Sequence, residues 1–238
     1  MTTPRRMMMG AAGVLPTEFP TLTDIKWRHR ADTGITGDPV TAWADMVGDA
    51  DLTNTAGNPD FQATGGPNGE PAVVFDGIAA IMAVDGVTPI AAPYHFFYVA
   101  KQITWTSGEL LASLKAASAT HFGRATGSSP SVNMRNVISG NDNSGMVLGE
   151  WHLLEGWYGS EITDYLRVDN GAKSTGTDTG SQTNLTRLVF CGDDNMVSLP
   201  ANWAIAEAVH CAGGSEVTGA DHAQLMGYFR DRYAIDIA

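Results

Sequence analysis

Holding a saccharide calls for an aromatic ring against the apolar face of a pyranose and planar polar groups that bridge its hydroxyls. Aromatic residues in loops are therefore the first to look for. Trp105 stands in the polar turn Thr104-Trp-Thr-Ser-Gly108, and Trp157-Tyr158 runs into Gly159-Ser160 at the end of a strand-like segment. The plainer reading of each is a ring covering the edge of the core. Cation chemistry needs about six to eight oxygens from Asp, Asn and backbone carbonyls. Two clusters have that composition: Asn141, Asp142 and Asn143, and Asp193, Asp194 and Asn195. Neither sits in a calcium loop with its glycine and terminal Glu, and polar turns explain both. Ca²⁺ is thus an expectation to test by melting with and without the ion, and no other cofactor is expected, since the chain has no P-loop or dinucleotide fingerprint. No GxSxG context supports a nucleophilic serine. Cys191 and Cys211 are too few for a disulfide framework and lack zinc-type spacing, so they are expected as free, buried thiols, with His210 an isolated neighbour.

The elements that must position these residues read as strands. The sequence has 238 residues, 27 of them Gly, and is 43% hydrophobic but only 17% charged, where about 25% is usual. That mixture disfavours helical bundles and suits short strands joined by tight turns. Strands are expected at Pro71–Phe75, His95–Lys101, Gly108–Leu114, His121–Ala125, Val132–Ile138, Gly145–Trp157, Asp164–Val168, Leu185–Cys191 and Trp203–Cys211, with Thr33–Gly69 a loop-rich stretch. Asp169-Asn170-Gly171 predicts a hairpin turn, because Asn and Gly tolerate positive φ. Thr218-Gly-Ala-Asp221 resembles a capping box that opens a helix, in which His222, Leu225, Met226, Phe229 and Tyr233 form an apolar stripe. The expected fold is all-β, a two-sheet antiparallel sandwich with a short C-terminal helix.

Charge narrows the partners. With 26 acidic against 14 basic residues, the net charge of −12 repels a phosphate backbone, so nucleic acid is not expected. No apolar run approaches the roughly 20 residues of a membrane-spanning helix, and no membrane insertion is expected.

Several segments in order resemble concanavalin A-like, laminin-G-like jelly-roll domains. They are Trp27-Arg-His-Arg-Ala-Asp-Thr-Gly34, Val40-Thr-Ala-Trp-Ala-Asp45, Asn68-Gly-Glu-Pro-Ala-Val-Val-Phe-Asp-Gly77, Tyr94-His-Phe-Phe-Tyr-Val99, Trp151-His152 with Leu166-Arg-Val-Asp-Asn-Gly171, Ala204-Ile-Ala-Glu-Ala-Val209, and Val217 to Ile235. The resemblance covers about residues 22–238 and implies a concanavalin A-like jelly roll over that span, preceded by an arm of residues 1–21. It makes Trp43 and Phe75 core residues and Asp45 and Asp76 ties for turns. Jelly-roll relatives include glycoside hydrolases, which set two carboxylates about 5 to 10 Å apart. The nearest match to their E-x-D-x-x-E strand is Glu150-Trp-His-Leu-Leu-Glu155. His152 replaces the central Asp, and in a regular strand the two Glu point to opposite faces. A non-catalytic protein is therefore expected.

Arg5 and Arg6 followed by Met7, Met8 and Met9 imitate a signal peptide, but the apolar part is short, Gly-rich and without a clean cleavage site. The expectation is an uncleaved arm whose Met side chains dock on a neighbour. Its start is similar to those of small virion proteins of tailed bacteriophages that carry this domain. That resemblance implies a structural component of the tail or head surface, assembled in the host cytoplasm, with other virion proteins and copies of itself as partners and host glycan as a ligand. The alternatives are a capsid-decorating cement protein without glycan affinity and a free carbohydrate-binding module.

Overall fold

The computed structural model describes residues 18–22, 24–106, 108–115, 119–125, 132–135, 145–159, 164–176, 184–193, 200–212 and 216–237. Its strands are β1 (Ile25–Arg30), β2 (Ile35–Thr36), β3 (Ala42–Trp43), β4 (Leu52–Ala56), β5 (Asp60–Gln62), β6 (Ala72–Val74), β7 (Ile81–Ile90), β8 (Tyr94–Gln102), β9 (Leu110–Lys115), β10 (Ala119–Ala125), β11 (Val132–Arg135), β12 (His152–Tyr158), β13 (Asp164–Val168), β14 (Ser174–Gly176), β15 (Leu185–Phe190) and β16 (Trp203–Ala212). One helix follows, α1 (Gly219–Tyr233). The first sheet runs β14-β13-β12-β8-β16-β6-β5, with β1 also on β16, and the second β11-β10-β9-β15-β7-β4-β3-β2. The pairings are antiparallel, and one edge of β16 is shared, Ala204 and Ile205 with β6 and Glu207 to Cys211 with β1.

Side-chain alternation sets the layers. Tyr94, Phe96, Tyr98 and Ala100 of β8, with Trp203, Ile205 and Ala208 of β16, face inward. They meet Met82, Leu111, Leu114, Phe122, Leu188 and Phe190 of the second sheet. The residues between them, Phe97, Val99, Leu153, Val209 and Cys211, face outward and lie under Leu225, Met226, Tyr228, Phe229 and Tyr233 of α1. The first sheet is thus covered on both faces, which is why Phe96-Phe-Tyr-Val-Ala100 reads as an unbroken apolar run. Burying Phe229 contributes about 1.5 to 3 kcal/mol. Trp43 and Phe75 are core residues, as expected.

The two-sheet sandwich with a C-terminal helix matches the sequence reading; several local details differ. Residues 145–151 form turns, so the strand expected from Gly145 begins only at His152. Thr33–Gly69 holds the short strands β2 to β5. The turn after β13 places positive φ at Asp169 (49°) and Asn170 (57°), one residue earlier than expected, and the Gly171 N–H donates to the Val168 carbonyl. Thr218 is the N-cap of α1 by its extended backbone, but its side chain caps no N–H, so the capping box does not form. Both cysteines are free and buried.

Candidate functional site

A cleft of about 600 Å³ opens where the start of β1 (Ile25, Lys26, Trp27), the end of β7 with Ala91 (Thr88, Pro89, Ile90), the β3–β4 connection (Val47, Gly48, Asp49) and Ala212 converge. Its walls are mainly apolar, and Val47 is half exposed. The sequence builds the connection around one carboxylate. Asp45 Oδ1 accepts the N–H of Arg28 (2.8 Å) and of Val47 (3.0 Å), and Oδ2 accepts that of Ala50 (3.1 Å). Asp45 is thus the turn tie expected of it, as is Asp76, whose Oδ1 accepts the N–H groups of Ile78, Ala79 and Ala80. At Gly48 a Cβ would lie 2.3 Å from the Lys26 carbonyl oxygen, so the connection can press against β1 only with glycine there. Asp49 is then held at the rim. Its Oδ2 accepts the Thr88 N–H (2.9 Å) and the Thr88 hydroxyl (2.5 Å), and these bonds lower its pKa. The cleft therefore offers a fixed carboxylate and a hydroxyl, with Lys26 in its lining, above apolar walls.

Two other carboxylates are conspicuous because they are buried. Glu155 Oε1 accepts from His95 Nε2 (2.9 Å), Tyr165 Oη (2.8 Å) and Arg167 Nη2 (2.7 Å), and Oε2 accepts from Arg167 Nε (2.7 Å). His222 Nε2 of α1 lies 3.2 Å from Oε2. Burial alone would raise the Glu155 pKa, but the bonds from His222, His95 and Arg167 win and hold it far below the usual carboxylate range. His95 Nδ1 accepts the Val217 N–H (3.1 Å), which leaves Nε2 as its donor, and burial lowers its pKa against the pull of Glu155. Glu207 is filled in the same way by Arg28 Nε (2.7 Å), Tyr228 Oη (2.8 Å) and Tyr233 Oη (2.7 Å). Both carboxylates tie α1 to the first sheet; neither faces solvent. The sequence signal for this role was a lone Glu inside an apolar strand, Leu154-Glu155-Gly156 and Ala206-Glu207-Ala208.

The residues singled out from the sequence are scattered. Trp105 is half-buried in the β8–β9 connection, with its indole N–H turned inward. Trp157 is 8% exposed and packs edge-on against His95 at 5.4 Å, while Tyr158 is 1% exposed beside Tyr94 in the main core. Neither ring is an exposed platform for a sugar, because β12 carries both into covered faces; Trp157 follows the plainer reading of a ring at a covered edge. Asp193 is buried at 7% and is not a surface turn ligand. Asn141, Asp142, Asn143, Asp194, Asn195 and the arm residues Arg5, Arg6, Met7, Met8 and Met9 lie outside the described residues. Of the failed carboxylate pair, Glu150 is exposed in a turn and Glu155 is the buried anchor. His152 is a structural neighbour: its Nδ1 donates to Asp169 Oδ2 (2.6 Å) and its Nε2 accepts the Val147 N–H. Among the described residues, no group of three His, Cys, Asp or Glu could hold a metal ion, and no helix is long and apolar enough to cross a membrane.

No family model and no curated protein matches the chain. Solved structures do. A Trypanosoma rangeli sialidase in complex with sialic acid superposes at TM-score 0.59 and 10% identity, over 90% of this chain and 34% of that one. Domain 4 of a GH43 extracellular arabinanase from Geobacillus stearothermophilus, in complex with arabinotriose, matches at TM-score 0.58 and 12% identity, over 86% of this chain and 98% of that one. A GH54 α-L-arabinofuranosidase matches at TM-score 0.57 and 14% identity, over 79% and 50%. The chain spans about a third of the sialidase it resembles. These likenesses place the fold among β-sandwiches found in glycosidase chains. They also correct the expectation of a non-catalytic protein, because the neighbours are a sialidase, an arabinanase and an arabinofuranosidase. A failed E-x-D-x-x-E strand does not exclude catalysis, because a sandwich can bring carboxylates together from different strands and connections.

Proposed function

We propose that the chain is a carbohydrate-recognition sandwich of a carbohydrate-active protein, and that it binds saccharide in the cleft beside β1. The observation that carries this reading is the cleft itself, whose volume of about 600 Å³ is that of a small-ligand site. Its polar groups suit hydroxyls: the Asp49 carboxylate is fixed by Thr88 to accept, and Lys26 donates, with Val47, Pro89 and Ile90 as apolar walls. The likeness to an arabinanase domain solved with arabinotriose supports it. Titration calorimetry with arabinotriose and 3′-sialyllactose tests it, with saturable binding expected that weakens at least about tenfold in Asp49→Ala. A chain that binds no saccharide on a broad array overturns it. Release of 4-nitrophenol from an arabinofuranoside in the same preparation reads out cleavage.

For the arm we propose docking on a neighbouring protein of a virion surface. Phe19, next to where the described chain begins, is held by the Arg28 guanidinium 3.7 Å over its ring and by Tyr228 edge-on at 5.0 Å. The helix-covered face is therefore where an arm would start. Deleting residues 1–15 should abolish incorporation into particles; normal incorporation refutes the docking.

A further inference from the structure

His95 of β8 holds the start of α1 through both ring nitrogens. Its side chain is fully buried, with Nε2 2.9 Å from Glu155 Oε1 and Nδ1 accepting the Val217 N–H at 3.1 Å. Val217 directly precedes Thr218, the N-cap of α1, whose side chain caps no N–H. From β12 the imidazole faces Glu155 and Trp157, from β13 the Tyr165 hydroxyl at 3.2 Å, and from β16 its register partner Cys211. From the helix side come Glu216 and His222. Glu216 Oε1 accepts from Tyr165 Oη (2.7 Å) and Lys173 Nζ (2.7 Å), and His222 Nε2 lies between Arg167 Nη2 and Glu155 Oε2. Beside this junction is a hollow of about 250 Å³, between Val217, Thr218 and Asp221 on the helix side and Asp24 and Cys211 on the sheet side. Cys211 is 3% exposed there.

Only a neutral imidazole fits these partners. Nε2 carries the proton that Glu155 accepts, and Nδ1 keeps its lone pair for Val217. A second proton has only Nδ1 to go to, where it would face the Val217 N–H, donor against donor. The groups around it keep their charge in mild acid: Glu155 and Glu216 are held below 4.5 by their donors, and Arg167 is held above its ordinary value by Glu155. We propose that His95 is an acid-released latch: a proton on Nδ1 frees Val217, lifts the start of α1 and uncovers Cys211 while the two sheets stay folded. β8 itself remains paired with β12 and β16 on either side. The latch does not depend on saccharide binding. Its sign follows from linkage. Burial lowers the His95 pKa in the closed form against the pull of Glu155, whereas the freed imidazole titrates near its ordinary value, so protons favour the open form. Opening therefore grows as pH falls below about 6.5, by about 30-fold at most between about pH 7.5 and about pH 5.

The accessibility of Cys211 in the full chain reads the latch. Its rate of modification by 4,4′-dithiodipyridine is divided by that of an unstructured cysteine peptide at the same pH, and peptide masses separate Cys211 from Cys191. The normalised rate is expected to rise about five- to 30-fold from about pH 7.5 to about pH 5, while Cys191 stays unmodified. His95→Asn offers Val217 a carboxamide oxygen that takes no proton and should flatten this pH dependence; His222→Gln should leave it in place. A flat wild-type rate, or a rise that persists in His95→Asn, overturns the latch. So does Cys191 reacting in step with Cys211, because acid would then be unfolding the sandwich as a whole. Where His95→Asn does not fold, hydrogen exchange of wild type decides. The Val217 amide should lose protection relative to its intrinsic rate as pH falls, while the β8 amides keep theirs; a Val217 amide equally protected at both pH values overturns the proposal.

Discussion

Replacing Glu155 by Gln tests whether the buried carboxylate anchors α1. Gln keeps one acceptor for His95, Tyr165 and Arg167 Nη2, but puts an NH₂ where Oε2 now accepts from Arg167 Nε at 2.7 Å, so two donors face each other. The Arg167 side chain is 12% exposed and loses its counter-charge in place. Removing one partner of a buried ion pair costs about 3 to 5 kcal/mol, and the retained acceptor and partial exposure of Arg167 put this case near the lower end. At about 2 to 4 °C per kcal/mol for a chain of this length, the melting temperature should fall by about 6 to 12 °C, measured by circular dichroism at pH 7. The pH dependence is fixed in sign. A carboxylate held below its ordinary pKa of 4.5 contributes stability that is present above that value and lost as pH falls through the folded value. The gap between wild type and Glu155→Gln should therefore be full at neutral pH and narrow below about pH 4.5. Hydrogen exchange should show α1 losing protection first, since His222 reaches the cluster from it. A fall under about 2 °C, or a gap that widens in acid, refutes the anchoring account.

Gly48→Ala should cost about 1 to 3 kcal/mol and weaken saccharide binding together, because the added methyl meets the Lys26 carbonyl and displaces the segment carrying Asp49; unchanged melting and affinity would remove the cleft's steric basis. For His152, burial lowers the pKa but the bond to Asp169 raises it further, to a net value above 6.5. The melting gap between wild type and Asp169→Asn should be full below about pH 6.5 and shrink as pH rises through the folded pKa, and a gap that grows with pH counts against the bond. Burial pushes the Cys211 thiol up to about 12 and the Cys191 thiol well above its ordinary value, so neither should react with a thiol reagent at pH 8 until guanidinium chloride unfolds the chain.

The sandwich was legible because its central strands carry period-two or unbroken apolar runs that no helix would tolerate, as in β8, β13 and β16. Asp164–Val168 was placed to the residue. β7 escaped because Asp85-Gly86 and Pro89 read as turn punctuation, whereas Gly86 at φ 74° sits inside a ten-residue strand whose register shifts near it. The short strands β2 to β5 were hidden by the glycines and prolines that let them turn between sheets. The site was less legible still. Trp157 and Tyr158 are followed by Gly and Ser, a local signature of exposure, yet Trp157 packs against His95 and Tyr158 lies in the core between the sheets. Lys26, Asp49 and Thr88 carry no motif, since only the pairing of β1 with β16 and the Asp45 tie bring 26, 49 and 88 together. Trp105 was found from its loop, but that its indole nitrogen is buried becomes visible only in the fold.

The most direct test of the central claim is the affinity of wild type and Asp49→Ala for arabinotriose and 3′-sialyllactose, measured by calorimetry alongside their melting curves. The account predicts saturable binding by wild type and at least about a tenfold loss in the variant, with the variant still melting cooperatively, since Asp49 is exposed and its bonds to Thr88 and Trp27 lie at the rim. Equal affinity in the two chains, or no binding by either, would contradict it.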